Sequence, residues 1–262
     1  MADILEEIIN YKKREVEQFK KECSPTVIHI QVENFVTKTP PSLKEALLAS
    51  DTGIIAELKR MSPSKGWINK DCNTAQIPID YENAGAAAVS ILTDRKFFGG
   101  SHAFMTTAMK RGIHVPMLYK NFVIDEYQLF QARRCGAAAV LLIAACLTKE
   151  QCRSLISAAH SLKLEVLLEL HSESELEYCD LDADVIGINN RNLGTFTTDI
   201  ENSFRLAEQL PTDAVKVSES GIAKPESIRR LRQAGFKGFL IGETFMSTEN
   251  PGQALKQFIA RL

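Results

Sequence analysis

The stretch IIAELKRMSPSKG, from Ile54 to Gly66, carries Glu57 and Lys59 at the end of an apolar run. Residues two apart in a strand share a face, so this acid and this base point the same way. On an interior face each charge costs on the order of several kcal/mol unless it is paired or put to use. Other apolar runs end alike. Lys120 closes VPMLYK, Glu169 sits near the end of EVLLEL, Asn189 and Arg191 follow VIGI, and Glu219 and Ser220 end AVKVSES. One such residue is an ordinary solvated strand end. Polar residues at the ends of five strands, with lysines and carboxylates on four of them, make a polar crown suited to proton transfer in both directions.

SESGIAKPE and LIGETFM each place a glycine, Gly221 and Gly242, at the turn after an apolar run. Backbone N–H groups exposed at such turns can meet an anion, so a phosphorylated small-molecule substrate is expected there. Tight turns use glycine for their own reasons too. SPSKG, beyond the first run, offers Ser62, Ser64 and Lys65 as further donors that would close the site from above.

The elements that must position these groups are eight short apolar runs, beginning near Ile54, Ala87, Val115, Ala137, Glu165, Val185, Ala214 and Gly238. They are apolar on both faces and separated by roughly twenty to thirty-five residues, as parallel strands with helical crossovers are. TKEQCRSLISAAHSLK has a Thr148 cap and a helical apolar period. KPESIRRLRQAG has Pro225 in its first turn and Gly235 just past its end. In NKDCNTAQIPIDYENAG, Pro78 is expected to interrupt or delay the helix. The pattern predicts a (β/α)8 TIM barrel, with active-site residues at the C-terminal strand ends and a phosphate site after the last two strands. A doubly wound sheet is the alternative, but no G-x-G-x-x-G follows the first run. The whole chain, residues 1–262, reads as one barrel domain, with residues 1–50 an N-terminal helical extension. Ile4, Leu5, Ile8, Ile9, Tyr11, Val16 and Phe19 trace an amphipathic helix there.

The chain is 45% hydrophobic and 24% charged, with a net charge of −2. There is no basic excess for nucleic acid, no stretch of membrane-spanning length and no signal-peptide core. A cytoplasmic protein without nucleic-acid or membrane partners is expected. The six cysteines form no C-x-x-C pair and read as reduced thiols; the five histidines lack ligand spacing, so no metal site is expected.

Six segments in order, IIAELKRMSPSKG, LTDRKFFGGS, YKNFVIDEYQ, GINNRNLGTF, VSESGI and FLIGETFM, resemble those of the indole-3-glycerol phosphate synthase family. The match covers nearly the whole chain. It implies extra helices over the barrel and a substrate, 1-(2-carboxyphenylamino)-1-deoxyribulose 5-phosphate. The product would be indole-3-glycerol phosphate, with loss of carbon dioxide and water, in tryptophan biosynthesis. The ring nitrogen would serve as electron sink, so no cofactor is implied. Carried onto this sequence, the resemblance makes Lys120 the acid for ring closure and Glu169 the base. Lys59 would act in dehydration or hold the substrate carboxylate. Glu57 and Glu219 would orient the lysines, and Asn189 would hold substrate or intermediate, with Arg191 and Ser220 as further polar contacts. Ser62, Gly221, Gly242 and the backbone N–H of Glu243 fall where the family holds phosphate. Phe122, Leu141, Leu193 and Pro63 resemble the walls around the anthranilate ring, although core packing explains each equally well. The protein would be a monomer or weak homodimer, with contacts to other tryptophan-pathway enzymes left open.

The sequence departs from the family in three places. YKNF stands where R-K-D-F is usual, so Tyr119 and Asn121 replace a cation and an anion; losing a carboxylate beside Lys120 could alter how it is held or charged. Gly99 replaces a larger polar residue, and the first crossover is atypical. Competing readings are another phosphate-binding barrel (an isomerase or a tryptophan synthase α-subunit), a catalytically silent barrel, and a Schiff-base aldolase using Lys59 or Lys120.

Overall fold

The computed structural model describes residues 4–192 and 194–262. Eight parallel strands close into a barrel in chain order: β1 (Ile54–Leu58), β2 (Ala88–Leu92), β3 (Met117–Lys120), β4 (Ala139–Ile143), β5 (Glu165–Leu170), β6 (Val185–Asn189), β7 (Lys216–Glu219) and β8 (Phe236–Ile241), with β8 returning to β1. With helices between successive strands, this is the (β/α)8 barrel that the spacing of the apolar runs predicts.

Strand alternation sorts the side chains into two cores. Ile55, Leu118, Leu141, Leu167, Val217 and Leu240 fill the barrel interior. Ile54, Ala56, Tyr119, Val166 and Ile186 face outward, against the helices. The inward register continues up each strand to the crown: Glu57 stands two residues beyond Ile55, Lys120 beyond Leu118, Glu169 beyond Leu167 and Glu219 beyond Val217. The apolar layers below shield these charges from water.

Three helices precede the barrel: α1 (Ile4–Glu22), α2 (Pro25–Val36) and α3 (Leu43–Ala49). Leu43 and Leu47 of α3 join the interior core. Ser42 caps α3 by accepting from Glu45 N, and its hydroxyl donates to Glu165 at the start of β5. On α1, Ile8 and Val16 of the expected apolar face are buried, and so is Lys12 between them. Its ammonium lies 2.7 Å from the buried carboxylate of Asp94 and 2.5 Å from Glu15, which removes the cost of an unpaired charge.

The crossover helices follow their punctuation. Helix Lys149–Ser161 begins at Thr148, whose capping box closes on Gln151, and Pro225 occupies the first turn of helix Pro225–Gln233. Pro78 delays rather than interrupts its helix: Ile77–Asn83 starts with that proline in its first turn, where the missing N–H would have no helical partner. The loop after β1 folds into a small hairpin, Met61–Ser62 against Gly66–Trp67, which the sequence pattern does not predict.

Candidate active site

A cavity of about 470 Å³ opens at the C-terminal ends of the strands. Every expected site residue that the structure describes borders it: Glu57, Lys59, Ser62, Pro63, Lys120, Phe122, Leu141, Glu169, Asn189, Arg191, Ser220, Gly221, Glu219, Gly242 and Glu243. Leu193 lies outside the described residues. Ile4, Leu5 and Ile8 of α1 supply a further apolar wall, which ties the N-terminal extension to the site. Of the expected apolar contacts, Leu141 also belongs to the interior core, Phe122 packs its ring 6.0 Å from that of Phe98, and Pro63 is exposed on the loop, where core packing does not account for it.

The charges form two groups. Lys59 Nζ lies 2.9 Å from Glu57 Oε2, so the acid of β1 pairs with the base that follows the strand's last residue. Lys120 Nζ donates to Glu169 Oε2 at 3.0 Å and to Glu219 Oε2, which brings together strands β3, β5 and β7. Burial works against the charge of Lys120, but Glu169, Glu219 and Glu57 together outweigh it and keep the amine protonated. Burial also works against Glu169, yet Lys120 and His171 hold its carboxyl well below the usual range. Burial and the neighbouring charge of Glu169 push Glu219 up to about 8, against the pull of Lys120. One carboxylate is thus held ionised while the other binds a proton near neutral pH, a division that suits acid and base tasks in one site.

Two glycines make room for these carboxyls. A Cβ at Gly187 would lie 2.5 Å from Glu219 Oε1, and one at Gly242 would run into the carboxylate of Glu57. Gly242, expected as a turn open to phosphate, therefore also serves the first lysine–carboxylate pair. Around the rim, Ser220 and Gly221 are both left-handed, with φ of 68° and 76°, making a tight turn after β7. Asn189 Oδ1 accepts the backbone N–H of Arg191 at 3.0 Å, and Arg191 donates to Phe196 O at 3.2 Å. The Glu243 carboxylate takes Lys65 and lies 3.8 Å from Arg191.

The neighbours of Lys120 behave otherwise than their sequence proximity suggests. Tyr119 points out of the barrel, its hydroxyl 2.7 Å from His102 Nε2. Asn121 donates to Thr93 Oγ1 at 2.8 Å and to the Tyr119 hydroxyl at 3.2 Å. Alternation turns Tyr119 outward, and Asn121, just past the strand at the cavity edge, joins it in an uncharged network, while Lys120 is held from across the barrel. Sequence reasoning also missed His171, whose Nε2 lies 3.2 Å from Glu169 Oε1. Its spacing of two from Glu169 was the available signal, just past the last apolar position.

A closed (β/α)8 barrel with a rim of paired lysines and carboxylates defines a TIM-barrel enzyme of acid–base chemistry. Solved structures share the fold: a tryptophan synthase α-subunit of Pyrococcus furiosus superposes with a TM-score of 0.61 at 13% identity, over 81% of this chain and 98% of that one. A 3-hexulose-6-phosphate synthase of Salmonella typhimurium reaches 0.61 at 10% identity, over 79% and 98%. Sequence relatives go further. Residues 5–258 match the family model described as indole-3-glycerol phosphate synthase. The chain is 56% identical over 261 residues to the indole-3-glycerol phosphate synthase of Bacteroides thetaiotaomicron, covering 99% of this chain and 98% of that protein. It is 41% identical over 260 residues to that of a Polaromonas species, covering 98% of each. The chain belongs to the indole-3-glycerol phosphate synthase family, and its activity is that family's carboxy-lyase reaction in tryptophan biosynthesis. Among the described residues, no helix is long and apolar enough to cross a membrane.

Proposed function

We propose that the crown converts 1-(2-carboxyphenylamino)-1-deoxyribulose 5-phosphate to indole-3-glycerol phosphate, with Lys120 as the acid of ring closure. The observation that carries this reading is Lys120 held protonated at the cavity floor between Glu169 and Glu219. Its proton passes to the ketone oxygen as the carboxylate-bearing aromatic carbon attacks the ketone carbon. The bond to the carboxylate then breaks, and its electrons neutralise the positively charged ring nitrogen. Lys59 protonates the new hydroxyl, which leaves as water, and Glu169 takes the proton from the ring carbon beside nitrogen. Having lost its proton, Lys120 no longer depresses Glu169, so the carboxylate is a stronger base when its step arrives. Across the whole reaction a substrate carboxylate becomes carbon dioxide and one proton is taken up from solvent.

Glu57 orients Lys59, Glu219 orients Lys120, and Asn189, Arg191 and Ser220 hold the sugar chain. Phosphate binds between the turns at Gly221 and Gly242, with the Ser62 hydroxyl and the Glu243 N–H as donors. Phe122, Leu141, Pro63 and α1 enclose the anthranilate ring. We read the chain as one barrel domain with a helical extension over residues 1–50, acting in the cytoplasm as a monomer or weak homodimer. A Schiff-base aldolase is disfavoured, because a lysine paired with the ionised Glu169 and donating to Glu219 is an ammonium and not a free amine. The test is turnover of the carboxyphenylamino-deoxyribulose phosphate by pure protein, followed by indole absorbance and fluorescence. Steady appearance of indole-3-glycerol phosphate is expected; none at high enzyme concentration would mean a silent barrel.

A further inference from the structure

The geometry points to His171, backed by Glu175, as the positioning residue of Glu169: the imidazole takes one carboxylate oxygen so that the other faces Lys120, and it keeps that carboxylate ready to accept a proton. This rests on the reading of Glu169 as the base. His171 Nε2 lies 3.2 Å from Glu169 Oε1, while Lys120 Nζ lies 3.0 Å from Glu169 Oε2, so the two cations use different oxygens. A carboxylate gripped at both oxygens cannot rotate, and its approach to substrate is set in advance.

The imidazole is itself fixed. Glu175 Oε2 lies 3.7 Å from His171 Nδ1 and accepts the backbone N–H of His171 at 2.7 Å; Ser172 donates to Glu175 Oε1 at 3.1 Å. Asn202 donates to both His171 O and Asn189 O, at 3.1 and 3.2 Å, and so joins this loop to the end of β6. The ring's contacts to the two carboxylates are ion pairs rather than aligned hydrogen bonds, and its side chain is only 9% exposed. Burial alone would strip the imidazole of its proton; Glu169 and Glu175 outweigh burial and raise it to about 10. Lys120 and Glu219 face Glu169 from β3 and β7, and Arg191, Asp199, Glu201 and Arg205 share with His171 a second cavity of about 1300 Å³. No reaction step proposed above uses His171, yet an imidazolium buried between two carboxylates is poorly explained by packing alone.

Two measurements test it. In the wild-type protein, histidine-labelled NMR should show His171, assigned by its loss in His171→Gln, still protonated at pH 8.5, where an ordinary histidine titrates near about 6.5. In pH profiles of turnover, His171→Gln should lower kcat at pH 7 by about tenfold or more, as misplacement of a catalytic base does. KM should stay within about twofold, since phosphate and ring contacts lie elsewhere. The acidic limb of kcat should move to higher pH, because Glu169 without the imidazolium protonates more readily. Glu175→Gln should move that limb the same way by less, and it carries the test if His171→Gln does not fold. Titration of His171 near neutral pH, or a limb that stays in place in the folded variants, overturns the inference, even if kcat falls. Absence of wild-type turnover would overturn the function reading instead, and the NMR titration would still decide whether Glu169 is gripped as described.

Discussion

Lys59 meets Glu57 two residues away at 2.9 Å, and its side chain keeps 17% of its exposure. Lys120 meets Glu169 and Glu219 from 49 and 99 positions away, with exposures of 12%, 3% and 1%. The first pair needs only one short segment of chain; the second group forms only when the barrel closes. The difference teaches what closure adds. Charges brought together out of reach of water interact strongly, and each sets the protonation of the others. That is how identical carboxyls on β5 and β7 come to differ, one held ionised and the other raised to about 8.

The largest way to break this comparison is Glu169→Gln, which keeps the shape of the assembled group but not its base. Dehydration should slow by about 10²–10⁴, the usual worth of a positioned base, and an intermediate past ring closure should accumulate in single-turnover experiments. Slowed ring closure with dehydration untouched would assign Glu169 to the wrong step. Gly242→Ala strikes the local pair instead. Its methyl group displaces Glu57, so kcat should fall by up to about 10²-fold, the cost of misplacing a catalytic group by about 1 Å. A rise in KM with kcat unchanged would mean that this glycine serves phosphate alone.

Glu219→Gln sharpens the comparison through stability. Between an unfolded value of about 4.3 and a folded value of about 8, the native state keeps a proton that the unfolded chain releases. Stability from this group therefore declines as pH rises through that window. The Tm of Glu219→Gln relative to wild type should rise between pH 5 and pH 8.5; a difference independent of pH would contradict the raised carboxyl. Asn121→Asp should do least. It restores the family's usual carboxylate, but on the uncharged network with Thr93 and Tyr119, whose hydroxyls can turn to donate to it. A stability loss of about 1–3 kcal/mol with kcat nearly unchanged is expected. A large change in kcat would mean that this side chain acts on Lys120 directly.

The membership of the crown was legible in the sequence because strand ends are marked by their apolar runs, and a barrel gathers all such ends on one rim. The pairings were not. Nothing in the spacing tells whether Lys120 meets Glu57, Glu169 or Glu219, since those contacts depend on strand register and tilt. Lys12 was hidden for a related reason: it breaks an apolar face, and only Asp94, 82 positions away, explains its burial. Gly242 read as a turn residue, because the Glu57 carboxylate beside it comes from another strand. Tyr119 and Asn121 are adjacent to Lys120 in sequence, yet their polar groups are spent on His102 and Thr93 rather than on its charge.

The claim at the centre of this account is that Lys120, held as an ammonium by Glu169 and Glu219 across the barrel, gives the proton that closes the ring. Lys120→Met keeps the packing of the side-chain stem and removes the charge. Folding should persist and substrate should still bind, since the phosphate contacts lie on other strands. The kcat for indole-3-glycerol phosphate formation should fall by about 10²-fold or more, with ring closure as the slowed step in single turnover. A folded Lys120→Met protein that retains near-normal kcat would contradict the account and make Lys59 the acid.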